Sequence, residues 1–199
     1  VQTDEKINEL LQQLQPITLD EMHSIRLMNR TDTKFVTNKE RLVRLLEMAQ
    51  GKYYAQSVGG QRISNYMTTY WDTDDHLFYT EHHNKRSPRQ KVRVRTYMDS
   101  GDTFLEIKTK NNHGRTKKKR VEVPSQDITG EGGNDEFLHG LVHLSVENIH
   151  PTVRNHFHRI TLVNYDKTER LTIDFDVQFE NMETRCNADV GNLVIVELK

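Results

Sequence analysis

The chain has 199 residues, of which 34% are hydrophobic and 29% charged, and its formal net charge is −1. That length suits one domain with a real hydrophobic core, and the near-zero net charge argues against a protein that is basic all over. The single cysteine, Cys186, excludes an intramolecular disulfide and a multi-cysteine zinc site, and no run approaches the roughly 18 apolar residues of a membrane span.

Three helices are predicted within the first 50 residues. Residues 4–14 place four aliphatic side chains on one stripe, which is the spacing of an amphipathic helix, and Pro16 ends that pattern. A second helix is predicted over about 20–28. The third is predicted to begin at Asn38, which is suited to capping a helix N-terminus, and to stop at Gly51.

Most of the remaining chain is predicted to form strands. The predicted strands are residues 30–35, 66–72, 89–95, 104–110, 116–123, 159–165, 170–179 and 194–199. Short helices are predicted near 75–83 and 135–142, and residues 151–158 have the pattern expected at the start of another helix. Because no repeat or linker interrupts this order, we expect a single domain over residues 1–199.

The strands between residues 89 and 110 separate charge from apolar side chains. Every odd position of 89–95 is a cation, and Val92 and Val94 lie between these cations. The next strand places charge on one face and aliphatic groups on the other, with Glu106, Lys108 and Lys110 opposite Leu105 and Ile107. Alternation with a period of two predicts strands that bury one face in apolar material.

The same period, applied to every predicted strand, collects charged side chains on one face. They are Arg30, Asp32, Lys34, Arg93, Arg95, Glu106, Lys108, Lys110, Lys118, Arg120, Glu122, Arg159, Arg170, Asp174, Asp176, Glu197 and Lys199. Two geometries could hold this face, an open sheet with one wet face or a closed barrel with a polar interior. The density of charge favours the barrel, so the predicted fold is α+β: an eight-stranded antiparallel β-barrel over 30–199, with flanking helices and an N-terminal helical segment over 1–28.

The charge is strongly localised along the chain. Residues 85–120 contain 13 Lys and Arg residues against 3 acids, whereas the rest contains 15 against 26. Such a segregated charge predicts an anion site, and phosphate suits it because Arg supplies bidentate forks and Lys a compact charge. Carboxylates among these cations would repel phosphate unless a divalent metal bridged the two, so Glu197, Asp174 and Glu106 are the candidate metal ligands.

Six short motifs follow one another between residues 70 and 199. They are Tyr70-Trp71-Asp72-Thr73, Tyr79 to His83, Arg89-x-Lys91-Val92-Arg93-x-Arg95-x-Tyr97, Phe104-Leu105-Glu106-x-Lys108-x-Lys110-Asn111, Lys118-x-Arg120 and Glu197-x-Lys199. In this order they resemble the VTC domain, the polyphosphate polymerase domain of the vacuolar transporter chaperone family. That family belongs to the triphosphate tunnel metalloenzymes, or CYTH-like superfamily, and the resemblance runs from about Arg30 to Lys199.

The resemblance implies a fold and a reaction. The fold is an antiparallel barrel around a cationic tunnel, and the reaction transfers the terminal phosphate of ATP to a polyphosphate chain with Mn²⁺ or Mg²⁺. The implied catalytic residues are Lys34, Arg93, Arg95, Lys108 and Glu197, of which Glu197 would hold the metal. Phosphate contacts are expected from Lys34, Lys91, Arg93, Arg95, Lys108, Lys110, Lys118, Arg120, Arg159, Arg170 and Lys199.

The chain departs from its relatives at two points. The hydrolase branch opens with Glu-x-Glu-x-Lys, whereas this chain has Arg30-x-Asp32-x-Lys34, which weakens a hydrolase assignment. The lysine-bearing helix that the family places after its Glu-x-Lys strand is not among these residues. A metal-dependent triphosphate hydrolase and a non-catalytic polyphosphate-binding module therefore stay open beside the polymerase.

The expected partners and location follow from the same interpretation. ATP or triphosphate, polyphosphate and a separately encoded membrane protein are the expected partners, without nucleic acid or direct membrane insertion, and the expected location is the cytoplasm. Some nearby residues have simpler explanations. Lys117 and Lys119 fall on the opposite parity from Lys118 and are expected to be solvated, and Tyr70 suits either the polar face or the core.

Overall fold

The computed structural model describes residues 2–25, 32–129 and 134–199, without the side chains of residues 23 and 24. These residues form two compact units, each with its own hydrophobic core. The first unit comprises Val1–Asn65, Phe157–Gln178 and Asp189–Lys199, and the second comprises Tyr66–His156 and Phe179–Ala188. The single domain over residues 1–199 stays a prediction.

Among the described residues, five α-helices lie at or near their predicted positions. They are α1 (Gln2–Gln13), α2 (Leu19–Ser24), α3 (Lys39–Ala49), α4 (Leu77–His83) and α5 (Asn134–Val142). The predicted start of α3 is confirmed, because the Asn38 side chain accepts a hydrogen bond of 3.0 Å from the Arg41 backbone N–H. The last part of the predicted second helix, 26–28, lies outside the described residues. Within the described ranges, no helix has the length and apolar character needed to cross a bilayer.

Eleven strands are described, and each predicted strand has a counterpart among them. They are β1 (Gln15–Ile17), β2 (Thr33–Asn38), β3 (Tyr53–Gln56), β4 (Ser64–Asp72), β5 (Arg89–Tyr97), β6 (Thr103–Lys110), β7 (Thr116–Glu122), β8 (His150–Asn164), β9 (Arg170–Asn181), β10 (Asn187–Asp189) and β11 (Leu193–Leu198). The short strands β1, β3 and β10 were not predicted. Arg30, which was predicted to begin the first strand, lies outside the described residues.

Residues 151–158 belong to strand β8, so the helix predicted there is wrong. The segment contains Thr152, Val153 and Phe157, and β-branched and aromatic side chains favour strands. Pro151 is the second residue of the strand, close to the end where proline is tolerated. Proline at a helix start and proline near a strand start look alike in a sequence, and here the residues that follow decide between them.

The first unit buries an aliphatic core. Helix α1 contributes Ile7 and Leu11 and helix α3 contributes Leu42 and Leu46, each at most 1% exposed. They join the apolar faces of β8, β9 and β11 in one buried cluster, which includes Ile173. The aliphatic stripe predicted for residues 4–14 is therefore confirmed as the buried face of α1.

Strand β11 lies between β2 and β9 in the first unit, antiparallel to both. Glu197 is opposite Lys34 of β2 and opposite Thr172 of β9. Next along this ladder, Arg170 and Lys199 exchange two backbone hydrogen bonds of 2.9 Å. Directly paired residues project from the same face of a sheet, so these five residues share one polar face.

Strands β4, β5, β6 and β7 form an antiparallel ladder in the second unit. Trp71, Val92 and Ile107 are consecutive cross-strand partners on one face, and each is at most 3% exposed. Helix α5 covers this face, with Leu138 fully buried in the same cluster. The alternation predicted from residues 89–110 is confirmed, since the other face carries the charged side chains.

The predicted α+β class and the antiparallel pairing are both confirmed. In the first unit the described ladder ends at β2, and in the second it ends at β7. Neither of these ladders closes on itself within the described ranges. Closure into an eight-stranded barrel therefore stays a prediction.

Asp72, the last residue of β4, fixes the start of helix α4. Its carboxylate accepts hydrogen bonds from the backbone N–H groups of Phe78 at 2.8 Å and Tyr79 at 2.9 Å, and from that of Thr73 at 2.9 Å. The N-cap residue of α4, His76, makes no side-chain capping bond. Asp72 therefore does the work of a helix cap from outside the helix.

Replacing Asp72 with alanine should lower the free energy of unfolding by about 2 kcal/mol, the upper range for loss of a cap, because three backbone donors lose their acceptor. Urea unfolding followed by circular dichroism measures this change. Asp74→Ala is the matched control. Its fully exposed side chain contacts His150 and no other described residue, so its loss should change the free energy of unfolding far less than the loss of Asp72. Equal effects of the two substitutions would contradict the capping role.

A candidate phosphate-binding site

The second unit aligns cations in cross-strand rows. Arg93 of β5 is opposite Glu106 of β6, and Lys108 is opposite both Lys91 of β5 and Lys118 of β7. Because paired residues share a face, these five side chains occupy one patch of the sheet. We call the group formed by Arg93, Arg95, Lys108, Lys118 and Glu106 the second-unit cluster.

One buried carboxylate lies at the centre of this cluster. Glu106 is fully buried, and its Oε2 accepts from Arg93 Nε at 2.8 Å and contacts Arg93 Nη2 at 2.6 Å. Lys118 forms an ion pair with the other oxygen. Burial alone would raise the pKa of Glu106, but Arg93 and Lys118 hold that pKa below its usual range. The carboxylate is therefore ionised, and it offsets only part of the surrounding positive charge.

Lys108 carries the charge that remains uncompensated. Burial, together with the neighbouring Arg93, Lys118 and Arg95, lowers the pKa of Lys108 to about 8. In the described part of the chain, no carboxylate lies within ion-pair distance of its ammonium group. A partly buried cation that is surrounded by other cations is the electrostatic setting that an anion relieves.

The lowered pKa makes a prediction about stability. Between pH 8 and 10.5 the unfolded chain binds a proton at Lys108 that the folded chain has lost, so this group makes unfolding less favourable as pH rises through that window. Lys108→Met should therefore be more stable than the parent below pH 8, by about 1–2 kcal/mol after solvent screening. Urea unfolding at pH 7 and pH 10 measures the difference in free energy of unfolding between the two proteins. The extra stability of Lys108→Met should be smaller at pH 10.

A matched control is Lys117→Met on β7, whose side chain is exposed. It should change the free energy of unfolding by less than about 0.5 kcal/mol at either pH. A Lys108→Met protein less stable than the parent at pH 7 would show that the lysine is not under electrostatic strain.

Arg95 and Arg120 each lie close to an aromatic ring. Arg95 is 8% exposed, donates to Thr68 Oγ1 at 3.1 Å and lies 5.3 Å from the Tyr66 ring. Arg120, on the exposed strand β7, lies 4.4 Å from the Phe104 ring. Contacts to hydroxyls and rings orient a guanidinium without neutralising it.

Tyr70 belongs to the same face, opposite Arg93 on β4. Burial would raise the pKa of its phenol, but Arg93, Arg95 and Lys91 lower that pKa below its usual value. The polar face is thus the position that the structure gives Tyr70, which the sequence left open between polar face and core. Thr68 was missed, and its parity with Tyr70 was the signal that could have identified it.

The first unit gathers a second set of charged residues, which we call the first-unit cluster: Lys34, Thr172, Glu197 and Lys199. Lys199 Nζ lies 2.7 Å from Glu197 Oε2, and Thr172 Oγ1 donates to the same oxygen at 3.3 Å. Burial would raise the pKa of Glu197, but Lys199 and Lys34 lower it, so the group is ionised. Thr172 was missed because it is uncharged, although it shares the parity of Arg170.

Arg159 and Asp174 form a closed pair in the first unit. Arg159 Nε donates to Asp174 Oδ1 at 2.6 Å and Nη2 donates to Oδ2 at 2.7 Å. The guanidinium also lies 5.2 Å from the Phe157 ring. Both carboxylate oxygens of Asp174 are engaged, so the bidentate pair leaves little of either charge for a ligand.

Asp176 was predicted to share the charged face with Asp174, but its carboxylate has different partners. Its φ of +51° is left-handed and interrupts the alternation of β9. Its carboxylate instead contacts Lys39 Nζ at 2.6 Å and His158 Nδ1 at 3.0 Å. Lys39, in helix α3, also contacts Asp4 of helix α1 at 2.6 Å. Asp176 therefore connects β9 to both helices through Lys39.

The predicted metal ligands differ in how well they suit a divalent cation. No group of three acidic, histidine or cysteine side chains comes together in the described part of the chain. Glu106 and Asp174 already use their oxygens on cations, as described above. Glu197 suits the role better, because its contacts with other described side chains, Lys199 and Thr172, both involve Oε2. Mg²⁺ commonly binds one or two carboxylates together with substrate phosphates, and Glu197 fits that pattern.

The remaining predicted phosphate ligands lie near the second-unit cluster or the first-unit cluster. Lys91 Nζ is 3.2 Å from His82 Nε2, and Lys110 is opposite Arg89 and half-buried. Arg170 is fixed beside Lys199 by the backbone pair. The structure thus brings one group of the predicted ligands together in the second unit and another in the first unit, and their roles in binding phosphate stay predictions.

Comparisons with known proteins identify a family and structures of similar fold. The VTC domain family model matches residues 29–199, and no curated protein sequence matches significantly. A Bacillus halodurans structure, described as a proposed adenylate cyclase, has a TM-score of 0.53 and 14% identity, covering 84% of this chain and 78% of that one. A Hippeastrum protein, described as a proposed adenylyl cyclase with a dominant triphosphatase activity, has a TM-score of 0.49 and 11% identity, with coverages of 83% and 78%.

Proposed function

The chain belongs to the VTC domain family, and from that premise we propose that it binds a linear chain of phosphates through its cationic faces. In this proposal it transfers the terminal phosphate of ATP to polyphosphate. The proposal includes closure of the sheet into the eight-stranded triphosphate tunnel, a cytoplasmic location and a separately encoded membrane-protein partner. Phosphoryl transfer asks a protein mainly for positioning and neutralisation of charge, which clustered cations supply.

One observation carries the proposal, namely the excess positive charge of the second-unit cluster. The cluster contains four cations and one carboxylate, and burial together with the neighbouring cations lowers the pKa of Lys108 to about 8. A bound triphosphate would place oxygens among these donors and reverse the repulsion between them. Catalytic roles are proposed for Arg93, Arg95 and Lys108, since they would contact the phosphates directly.

In the first unit, the proposal gives Lys34, Arg170 and Lys199 to phosphate binding and Glu197 to the metal. Arg159 is the weaker phosphate candidate, because Asp174 already binds its guanidinium. Bound Mg²⁺ or Mn²⁺ would neutralise charge on the phosphate oxygens. Lys199 and Thr172 both hold Glu197 through Oε2, so among the described contacts Oε1 is the oxygen that a metal would take. Asp174 is the weaker metal candidate because its oxygens already bind Arg159.

The test is incubation of the full chain with ATP and Mn²⁺, with the products separated by gel electrophoresis. We expect polyphosphate that lengthens with time, together with ADP. Release of free phosphate without longer chains would instead identify a hydrolase. Binding of tripolyphosphate without any turnover would identify a binding module, an outcome that the ion-paired states of Glu106 and Asp174 favour as the second candidate.

A further inference from the structure

Helix α3 lines a groove of about 660 Å³ on the first unit. The helix contributes Leu45, Met48 and Ala49 to the groove. Tyr53 of β3 and Leu171 of β9 complete its apolar lining. The volume lies within the range of about 300–1,000 Å³ found for ligand sites, so the groove has room for several side chains of a bound segment.

The apolar lining of the groove continues the hydrophobic core outward. Leu45, Tyr53 and Leu171 are partly buried and pack against the core cluster of the first unit. Met48 is 72% exposed, the largest exposed fraction among the large hydrophobic side chains that the structure describes. Methionine is flexible and adapts to the shape of a partner, which is why it is common on surfaces that bind peptides. Covering Met48 would remove apolar area from water, and this favours binding.

Three cations, Arg41, Arg44 and Lys52, line the same groove. Arg41 and Arg44 are three positions apart in α3, the spacing that places side chains on one face of a helix. Lys52 follows the end of the helix, where Gly51 turns the chain back with a φ of +70°. Among the described residues, no carboxylate lies within ion-pair distance of these three cations, and no acid lines the groove. All three charges are therefore available to an anionic partner.

The acids of helix α3 line a different groove. Glu40 and Glu47 lie there together with two glutamates of α1, and only Arg44 borders both grooves. Outside residues 85–120 the chain has 26 acids against 15 Lys and Arg residues. A groove with three cations and no acid thus differs from the charge of the chain around it. Segregation of this kind indicates a partner of opposite charge.

The apolar lining distinguishes between anionic partners. Polyphosphate has no apolar group, so it would pair with the cations and leave Met48 exposed. An anionic bilayer is a broad surface, and one that covered helix α3 would also meet the neighbouring groove with Glu40 and Glu47. A peptide segment can place apolar side chains and carboxylates side by side within one narrow groove.

We propose that this groove binds a short amphipathic segment of a partner protein, in which aspartate or glutamate residues flank one or two large apolar side chains. The apolar side chains of the segment cover Met48 and contact Leu45 and Leu171. Its carboxylates pair with Arg41 and Arg44, whose guanidinium groups suit bidentate contacts. This interaction does not depend on phosphate transfer, so its failure would leave the proposed function untouched.

The test screens a phage library of random peptides against the full chain. Phage that bind the variant Met48→Asp are removed first, which discards peptides that bind elsewhere, because this variant retains the phosphate-binding faces. We expect the enriched peptides to combine acidic residues with at least one large apolar residue. A synthetic peptide of the enriched class is then titrated into the parent and the variants by calorimetry.

A charge reversal tests the ion pairs directly. The double variant Arg41→Glu with Arg44→Glu should bind the enriched peptide at least tenfold more weakly than the parent does. A peptide whose acids are replaced by lysine should bind this double variant more tightly than the acidic peptide does. Lys117→Glu, on the exposed strand β7, is the matched control and should change the affinity less than twofold. All of these substitutions are at exposed positions, and circular dichroism verifies that each variant is folded.

Four results would overturn the proposal. They are the absence of any enriched peptide class, enrichment of peptides without acids, equal affinity of the enriched peptide for the parent and the double variant, and equal losses in the double variant and Lys117→Glu. The third result would show that the arginines are not involved, and the fourth would show that only overall charge matters. Binding of anionic vesicles that is lost in Met48→Asp, without peptide enrichment, would assign the groove to a lipid surface.

Discussion

Replacing Arg93 with alanine is expected to lower stability and phosphate affinity together. Glu106 is fully buried, and Arg93 contacts its Oε2 through two nitrogens. Without Arg93 the carboxylate keeps only Lys118 as an ion-pair partner in the described part of the chain, and breaking a buried pair costs about 3–5 kcal/mol. Loss of a charged donor should also weaken tripolyphosphate binding by about 1.5–3 kcal/mol. Urea unfolding and calorimetry measure the two effects.

A double substitution separates the two roles of Arg93. In Arg93→Met with Glu106→Gln, the buried charge is gone as well, so the free energy of unfolding should recover most of its loss. For binding, the double variant is compared with the single variant Glu106→Gln, because these two proteins differ only in whether residue 93 carries a guanidinium. The double variant should bind tripolyphosphate at least tenfold more weakly, by the usual worth of a charged hydrogen bond. Equal affinities would remove Arg93 from the phosphate site.

The rows of the second-unit cluster were largely predictable from the sequence. Charge at every second residue of 89–95 and at 106, 108 and 110 fixes which side chains share a face, because a strand alternates sides without exception unless its backbone is interrupted. The short turns between β5, β6 and β7 then limit how these strands can pair. Even so, the register that places Lys108 beside Lys118 became visible only with the strand pairing.

Other features depended on information that a period of two does not contain. The left-handed backbone of Asp176 breaks the alternation of β9. Aspartate adopts this conformation more readily than most residues, but its presence in a strand does not predict it. The capping of α4 by Asp72 joins residues up to seven positions apart through a loop. The ion pairs of Glu106 and Asp174 are choices among several available cations, which only tertiary packing decides.

The substitution Glu197→Gln is expected to have the largest effect on turnover. The amide keeps the size of the side chain but no longer attracts a divalent metal, so phosphate transfer with Mn²⁺ should fall at least 100-fold. Binding should not fall with it. Removing a negative charge next to Lys34 and Lys199 makes this face more attractive to phosphate, so tripolyphosphate affinity without metal should stay equal or rise.

Asp174→Asn is the matched control for this experiment. Asp174 is the other acid of the same face, but it is bound to Arg159 through both oxygens. Its loss should cost stability, by about 1–2 kcal/mol at this partly exposed pair, and leave the dependence of turnover on Mn²⁺ unchanged. If the dependence of turnover on Mn²⁺ changed in Asp174→Asn but not in Glu197→Gln, Asp174 would be the metal ligand and Glu197 would not. Parallel loss of turnover and tripolyphosphate binding in Glu197→Gln would mean that Glu197 organises the cations, since a metal ligand is not needed for metal-free binding.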